Sequence, residues 1–571
     1  MKSYKNDILI IGSGAAGLRC AIEAHEKGAD VLVLGKCKRG DAHTVLATGG
    51  INAALGTMDP KDSWLVHAAD TLKEGRFIAD SREVETLCKE APRAINDLIE
   101  YGVRFHEEDG RLTQRFFGAH TYRRTCFVGD RTGKAMEEAL VKRVTKMKIP
   151  FLEGVYITSL MKRGGRVCGA FGFDTRTGEH VLFKSKAVVL ATGGYSRLYR
   201  RSSSRIFENT GDGVTLAYNA GAALADMEMV QFHPTGMVWP SSAEGVLVTE
   251  AVRGEGGVLT NAKGERFMKA YDARAELGPR DIVARAIYSE IQAGRGTKHN
   301  GVWLDVSHLP KQYIKERLPK IYEQFNSVGV DVSKERMEVA PTAHYTMGGV
   351  RVSRTTQETS VPGLFAVGEV TSGVHGANRL GGNSLLETIV FGRICGSHVA
   401  AFVEKRDTQP PDDRQLKRCA ADLEKIRAMK GQYVPQALRA ELQSMMWENA
   451  GIVRDGKKMS HSLGQLNVLA TKSKKMHVAT GEEFIVALDF LNLLTPAEAV
   501  LRSALVRRES RGAHYRSDYP QEGKKWTVNL TCQKGSGSMI VRQRRVPKPA
   551  GVLAHMLKKE IGRKVEHRLL E

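Results

Sequence analysis

The chain has 571 residues, 42% hydrophobic and 26% charged, with a formal charge of +21. That length exceeds one hydrophobic core and predicts two or more domains, and the balance is that of a globular protein rather than a disordered or fibrous one. No secretory pattern opens the chain, since "ILIIGSG" breaks at once into glycines, and no apolar run stands out as long enough to span a bilayer, so membrane contact is expected only through a partner.

In chain order, residues 7–35 read strand, turn, helix, strand: "DILII", "GSGAAG", "LRCAIEAHEKG", "ADVLVLG". Gly12, Gly14 and Gly17 form G-x-G-x-x-G in that context. The first permits a tight turn, the second lets the backbone approach a pyrophosphate, and the third lets helix and strand pack closely. The helix N-terminus at Ala15 and Ala16 then offers N–H donors to phosphates. The acid expected at the end of the second strand is absent, and Gly35 and Lys36 stand there instead. The next segment, "GDAHTVLATGG", sets His43 among small and hydroxyl residues, including Thr44, Gly49 and Gly50.

Two further buried runs end in glycine, "VVLATGG" with Ala191, Thr192 and Gly193, and "GLFAVGEV" with Glu369. Three such strand ends, far apart in sequence, favour one long ligand such as FAD lying across the fold. A mixed stretch over 233–345 reads as an insertion. Residues 407–520 read as helical after the linker Pro410–Pro411, and short strand-like pieces follow Pro520. The predicted fold is α/β: a Rossmann-like FAD-binding domain (1–232 and 346–406), an inserted α+β capping domain (233–345), a helical domain (407–520) and a basic C-terminal segment (521–571) with a little β structure.

The eight cysteines are scattered without a CxxC pair, so no zinc or iron–sulfur site is readable, and buried thiols in a reducing compartment are expected. From Leu501 onward 17 Lys and Arg face 6 acidic residues. Such a tail fits a lipid surface, an acidic partner chain or nucleic acid, or simply a solvated basic surface.

Five clusters set charged residues beside glycine: "VQFHPTG", "LVTEAVRGEGG", "ELGPRDIV", "APTAHYTMGG" and "GVHGANRLGGNSLLE". With "RRESRGAHYRSDYP", they resemble the flavoprotein subunit of succinate dehydrogenase and fumarate reductase, from the N-terminus to about Trp526. The resemblance implies that His233, Thr249, His344 and Arg379 grip the two carboxylates of a C4 substrate. It implies Arg280 as the proton-transferring arginine, Glu250 and Arg253 as its relay, and Phe117 beside the substrate. It adds Lys36, Asp212, Ser384 and Leu385 to the cofactor contacts, and leaves His375 shaping the loop around the flavin.

The residue types suit the chemistry. A dianion needs cationic donors at both ends, and the arginine fork binds carboxylates bidentately. One hydrogen moves as hydride at the flavin and the other as a proton, which Arg280 would lose only transiently because its pKa is so high. "AHTV" resembles the segment whose histidine is bonded to the flavin 8α-carbon, so covalent FAD at His43 is expected. Such a tether raises the flavin potential, as oxidation of an alkane bond requires. Thr48 and "YRRTC" depart from the usual forms, and Thr48 leaves the preferred direction open.

The resemblance further implies that electrons pass to an iron–sulfur subunit, with membrane anchors or a thiol-handling partner beyond it, and a cytoplasmic location. No nucleic-acid partner is expected. L-aspartate oxidase is the alternative within the superfamily; a non-catalytic flavin or nucleic-acid binder is the alternative outside it.

Overall fold

The computed structural model describes residues 1–561; the end of the basic segment, 562–571, lies outside the described residues. Strand β1 (Lys2–Ile11) lies between β2 (Val31–Gly35) and the strand His180–Leu190, all parallel, and Phe151–Glu153 extends the sheet beyond β2. The strand 180–190 changes partner along its length. Its first half pairs antiparallel with Arg166–Asp174, and Val188–Leu190 pair parallel with Leu364–Ala366. The ends of β1, 180–190 and 364–366 therefore meet at one edge, and the glycine loops that follow form one ligand cleft there.

Helix α1 (Ala15–Glu26) packs under this sheet beside the helix Asn383–Glu404. The close approach depends on missing side chains. A Cβ on Gly17 would lie 2.1 Å from Gly12 O, and one on Gly12 (φ +118°) 2.0 Å from Ala191 O.

The insertion forms its own four-stranded sheet, in the order Val230–Met237, Met337–Thr346, Val302–Asp305, Val258–Thr260. Val230 pairs with Thr346, so the chain enters and leaves this lobe at one point. The helix Arg280–Glu290 packs on the first strand, and Val283, Ile287, Val302 and Val339 share a separate core. Four helices follow between Asp413 and Val506. Asn383–Glu404 and Gly481–Val506 are, contrary to the sequence reading, long and apolar enough to cross a membrane by length and composition, with mean hydropathy 1.3 and 1.7. Most of each is buried inside the protein, and core packing accounts for the apolarity.

The C-terminal segment is not a free tail up to Ile561. Val528–Lys534 and Met539–Arg545 form a hairpin that joins a five-stranded sheet through Leu224, opposite Cys532. Part of the basic surplus is internal: Arg507, Arg511 and Arg516 are buried and paired with Glu228, Glu509 and Asp518.

The helical region is locked to the nucleotide fold by a buried cluster. Lys36 Nζ reaches Asp212 at 2.9 Å and Asp489 at 3.2 Å, and Tyr156 OH donates to Asp489 at 2.8 Å. Burial pushes the lysine down, but the two carboxylates outweigh it and raise its pKa. Lys36→Met strands both acids and is expected to cost about 3–5 kcal/mol, read from the denaturation midpoint, with partial recovery on adding Asp489→Asn. Gly17→Val should exceed the roughly 1–3 kcal/mol of ordinary overpacking, because backbone rather than a side chain blocks it; a variant with wild-type melting and flavin content would contradict this.

Candidate active site

One cavity of about 1820 Å3, counted to its open mouth, runs from the first glycine loop to the inserted lobe. Its lining joins the glycine loops of the nucleotide fold to His233, Thr249, Arg280 and His344 of the inserted lobe. Of the candidate site residues named above, all but Gly17, Arg253 and His375 line it. Gly17 serves packing. His375 is buried against Glu387, 2.9 Å away.

At the nucleotide end the residues fit FAD. The α1 N-terminus faces the cavity, where Thr44 Oγ1 accepts from Ala15 N–H at 3.1 Å. Thr192 Oγ1 is buried with no hydrogen-bond partner, between Ala191 and Gly193 of the lining. Lys36, at the end of β2, draws in Asp212, which lines the cavity, and Asp489, which lies behind it. Glu369 accepts from Thr346 N–H at 3.0 Å, and burial pushes its carboxyl up.

His43 sits in the short helical turn His43–Leu46, with its Nδ1 3.0 Å from Glu208 Oε2. Burial lowers the imidazole pKa, but the Glu208 hydrogen bond and charge outweigh it and raise it. Arg205 in turn pairs with Glu208. The ring is thereby fixed through Nδ1.

At the other end four segments converge. Val230–Met237 supplies His233, Met337–Thr346 supplies His344, the start of helix Arg280–Glu290 supplies Arg280, and the loop before Asn383 supplies Arg379. The two histidine rings lie 5.3 Å apart. Ser203 Oγ lies 2.9 Å from His344 Nδ1; with the hydroxyl as donor, the ring proton sits on Nε2. Burial and the nearby cations hold both imidazoles well below the usual range, so both are neutral at pH 7. Thr249 and Glu250 follow on the segment leading into Ala251–Gly254.

The arginines differ. Arg280 is clamped by Glu250 Oε2, at 2.8 Å from Nε and 2.7 Å from Nη2. Burial pushes the Glu250 carboxyl up, but Arg280 and Arg253 outweigh it and hold it at about 2. Arg379 has hydroxyl, carbonyl and amide partners and lies 4.6 Å over the Tyr345 ring. Burial and the Arg280 charge push it down to about 10. Arg253 lies behind the cavity: Nη1 donates to Glu276 O, and its Nε and Nη2 are buried without hydrogen-bond partners. Its link to Glu250 is therefore one of charge. Phe117 wedges between the chain at Gly49 and Gly381, where added Cβ atoms would lie 3.0 and 3.1 Å from its ring.

Sequence reasoning missed Gln231. Its Oε1 accepts from Arg280 Nη1 at 3.1 Å and from Arg379 Nη2 at 2.9 Å. The signal was available, since Gln231 lies two positions before His233 on one strand and so on the same side of it. Glu208, Ser203 and Asp489 carry no comparable local signal.

Known proteins share this fold over most of the chain. The family described as FAD binding domain matches residues 7–385, and that described as Fumarate reductase flavoprotein C-term matches 439–547. The chain is 47% identical over 549 residues to a Methanothermobacter marburgensis protein named as one of the subunits of a fumarate reductase (CoM/CoB), covering 93% of this chain and 97% of that one. It is 38% identical to the succinate dehydrogenase flavoprotein subunit of Rickettsia bellii, covering 92% of each. The solved structure of Mycobacterium smegmatis Sdh1 in complex with UQ1 superposes with a TM-score of 0.89 at 40% identity, over 97% of this chain and 96% of that one. The nucleotide cradle, the convergent arginines and histidines, and these similarities make the chain a member of the family of succinate dehydrogenase and fumarate reductase flavoprotein subunits.

Proposed function

We propose that the protein interconverts fumarate and succinate at the end of the cavity nearest Arg280, with FAD held covalently at His43 and electrons exchanged with an iron–sulfur partner chain. The observation that carries this is the pairing of two buried guanidinium groups with two neutral imidazoles around one small space. That set matches two carboxylates a few ångströms apart.

FAD, when bound, accepts or supplies the hydride at its N5. The chain's residues do the rest. Arg379 and His344 hold one carboxylate, and His233 with Thr249 holds the other. Donors fixed on separate segments favour a twisted substrate and so strain it toward reaction. Arg280 holds the proton that moves, and Glu250, already on its Nε and Nη2, is the group placed to restore it. Arg253 acts through its charge on Glu250. Phe117 keeps water from the reacting carbons.

An amino-acid substrate, as in L-aspartate oxidase, is disfavoured. An ammonium group needs a carboxylate, and the one at this end, Glu250, is already taken by Arg280. Identity of 47% to the CoM/CoB-named relative against 38% to the succinate dehydrogenase favours a thiol electron donor, reached through the partner chain, over a quinone.

Purified protein should reduce fumarate with a viologen dye and oxidise succinate with an artificial acceptor; turnover of aspartate instead would overturn the assignment. Arg280→Gln should lower kcat by roughly 10²–10⁴, the range of a lost acid–base group, while dicarboxylate still perturbs the flavin spectrum. Flavin should stay with the denatured polypeptide and map to the His43 peptide. His43→Ser should release it and lower succinate oxidation more than fumarate reduction; freely dissociating flavin in the wild type would remove the covalent link.

A further inference from the structure

Behind the arginine pair lies a carboxyl that the reaction above does not use. Glu74 ends the helix Trp64–Glu74 and is half-buried. Its Oε1 accepts from Asn378 Nδ2 at 2.6 Å, and the same amide nitrogen donates to Asp281 Oδ1 at 3.2 Å. With its NH2 committed to two carboxyls, Asn378 turns its Oδ1 toward Gln231 and accepts from Nε2 at 2.8 Å. Gln231 Nε2 also donates to Arg379 O at 2.9 Å. Gln231 therefore presents its carbonyl oxygen to the two guanidinium groups. A reversed amide would set N–H donors against groups that have only donors.

We propose that Glu74 is a positioning residue for the dicarboxylate site: through Asn378 it sets the direction of the Gln231 amide, and so the placement of Arg280 and Arg379. The inference rests on the succinate–fumarate assignment above. It deepens that assignment by naming a group outside the cavity that governs its grip on the substrate.

The arrangement is sensitive to pH. Burial pushes the Glu74 carboxyl up to about 8; Asp281 and Glu250 add to this, while Arg76 and Arg280 oppose it. Arg285 also faces the cluster from the same helix as Asp281, 3.0 Å from its carboxylate. Below that pH Glu74 is neutral. Above it, a new anion stands behind the arginines and works against a bound dianion, so KM for the dicarboxylate rises.

The test compares wild type, Glu74→Ala and Glu74→Gln as flavin-loaded protein, with fumarate or succinate from pH 6 to 9. Glu74→Ala should raise KM roughly three- to tenfold at pH 7, the size of one lost hydrogen bond, with kcat within about twofold. Glu74→Gln keeps an acceptor for Asn378 without an ionisable group. It should restore the wild-type KM at pH 7 and lose the rise between pH 7 and 9. A wild-type KM in Glu74→Ala, a loss shared equally between kcat and melting temperature, or a wild-type pH profile in Glu74→Gln would each overturn the inference. Wild type without turnover of either acid would remove the assignment and the inference together; an active wild type with three identical profiles removes only the inference.

Discussion

Two guanidinium groups, Arg379 buried and Arg280 nearly so, face one small space, and of the two, among the described residues, only Arg280 has a carboxylate ion-pair partner. That charge imbalance is the constraint on which the site depends. Arg280 is neutralised by Glu250, while Arg379 is held by an amide, a hydroxyl, carbonyls and an aromatic face. An unpaired buried cation costs free energy, and the dianion of the proposed function would relieve that cost. Packing of the histidine-bearing strands, the Gln231 bridge and the Phe117 wedge all hold the cations in position until the ligand arrives.

The division of labour follows from topology. The nucleotide fold supplies His43, Glu369 and Arg379, and the inserted lobe supplies His233, Thr249, Glu250, Arg280 and His344. Because Val230 and Thr346 pair where that lobe begins and ends, its two histidine strands start from one anchored point. The substrate end of the cavity is thus a seam between two packed bodies. Grip and release there are matters of how those bodies meet, as well as of side-chain identity.

Much of this was legible in the sequence because the signals were local. The G-x-G-x-x-G turn, the strand ends at Gly194 and Glu369, and the clusters around His233, Arg280, His344 and Arg379 each occupy a few consecutive residues. The structure brings them to one cavity. What was not legible depends on contacts across hundreds of residues. Asp489 pairs with Lys36 from a helix assigned to another domain, and Glu208 orients His43 from 165 positions away. The basic C-terminal stretch misled for a related reason. Composition counts Arg507, Arg511 and Arg516 as surface charge, whereas folding buries them against acids that composition cannot pair with them. Apolarity misled likewise: Gly481–Val506 is hydrophobic because it lies inside the protein.

The hairpin Val528–Lys534 with Met539–Arg545 has a consequence for assembly. Asp226 N–H bonds to Leu530 O, and the Glu228 carbonyl is held by Arg454, so the turn leading into the Gln231–His233 strand is fastened by residues made hundreds of codons later. The nucleotide cradle also waits on late residues, since Leu364–Ala366 and Glu369 are part of it. The entry to the His233 strand is likewise fastened only once the hairpin exists, so the whole cleft is held only when translation is nearly finished.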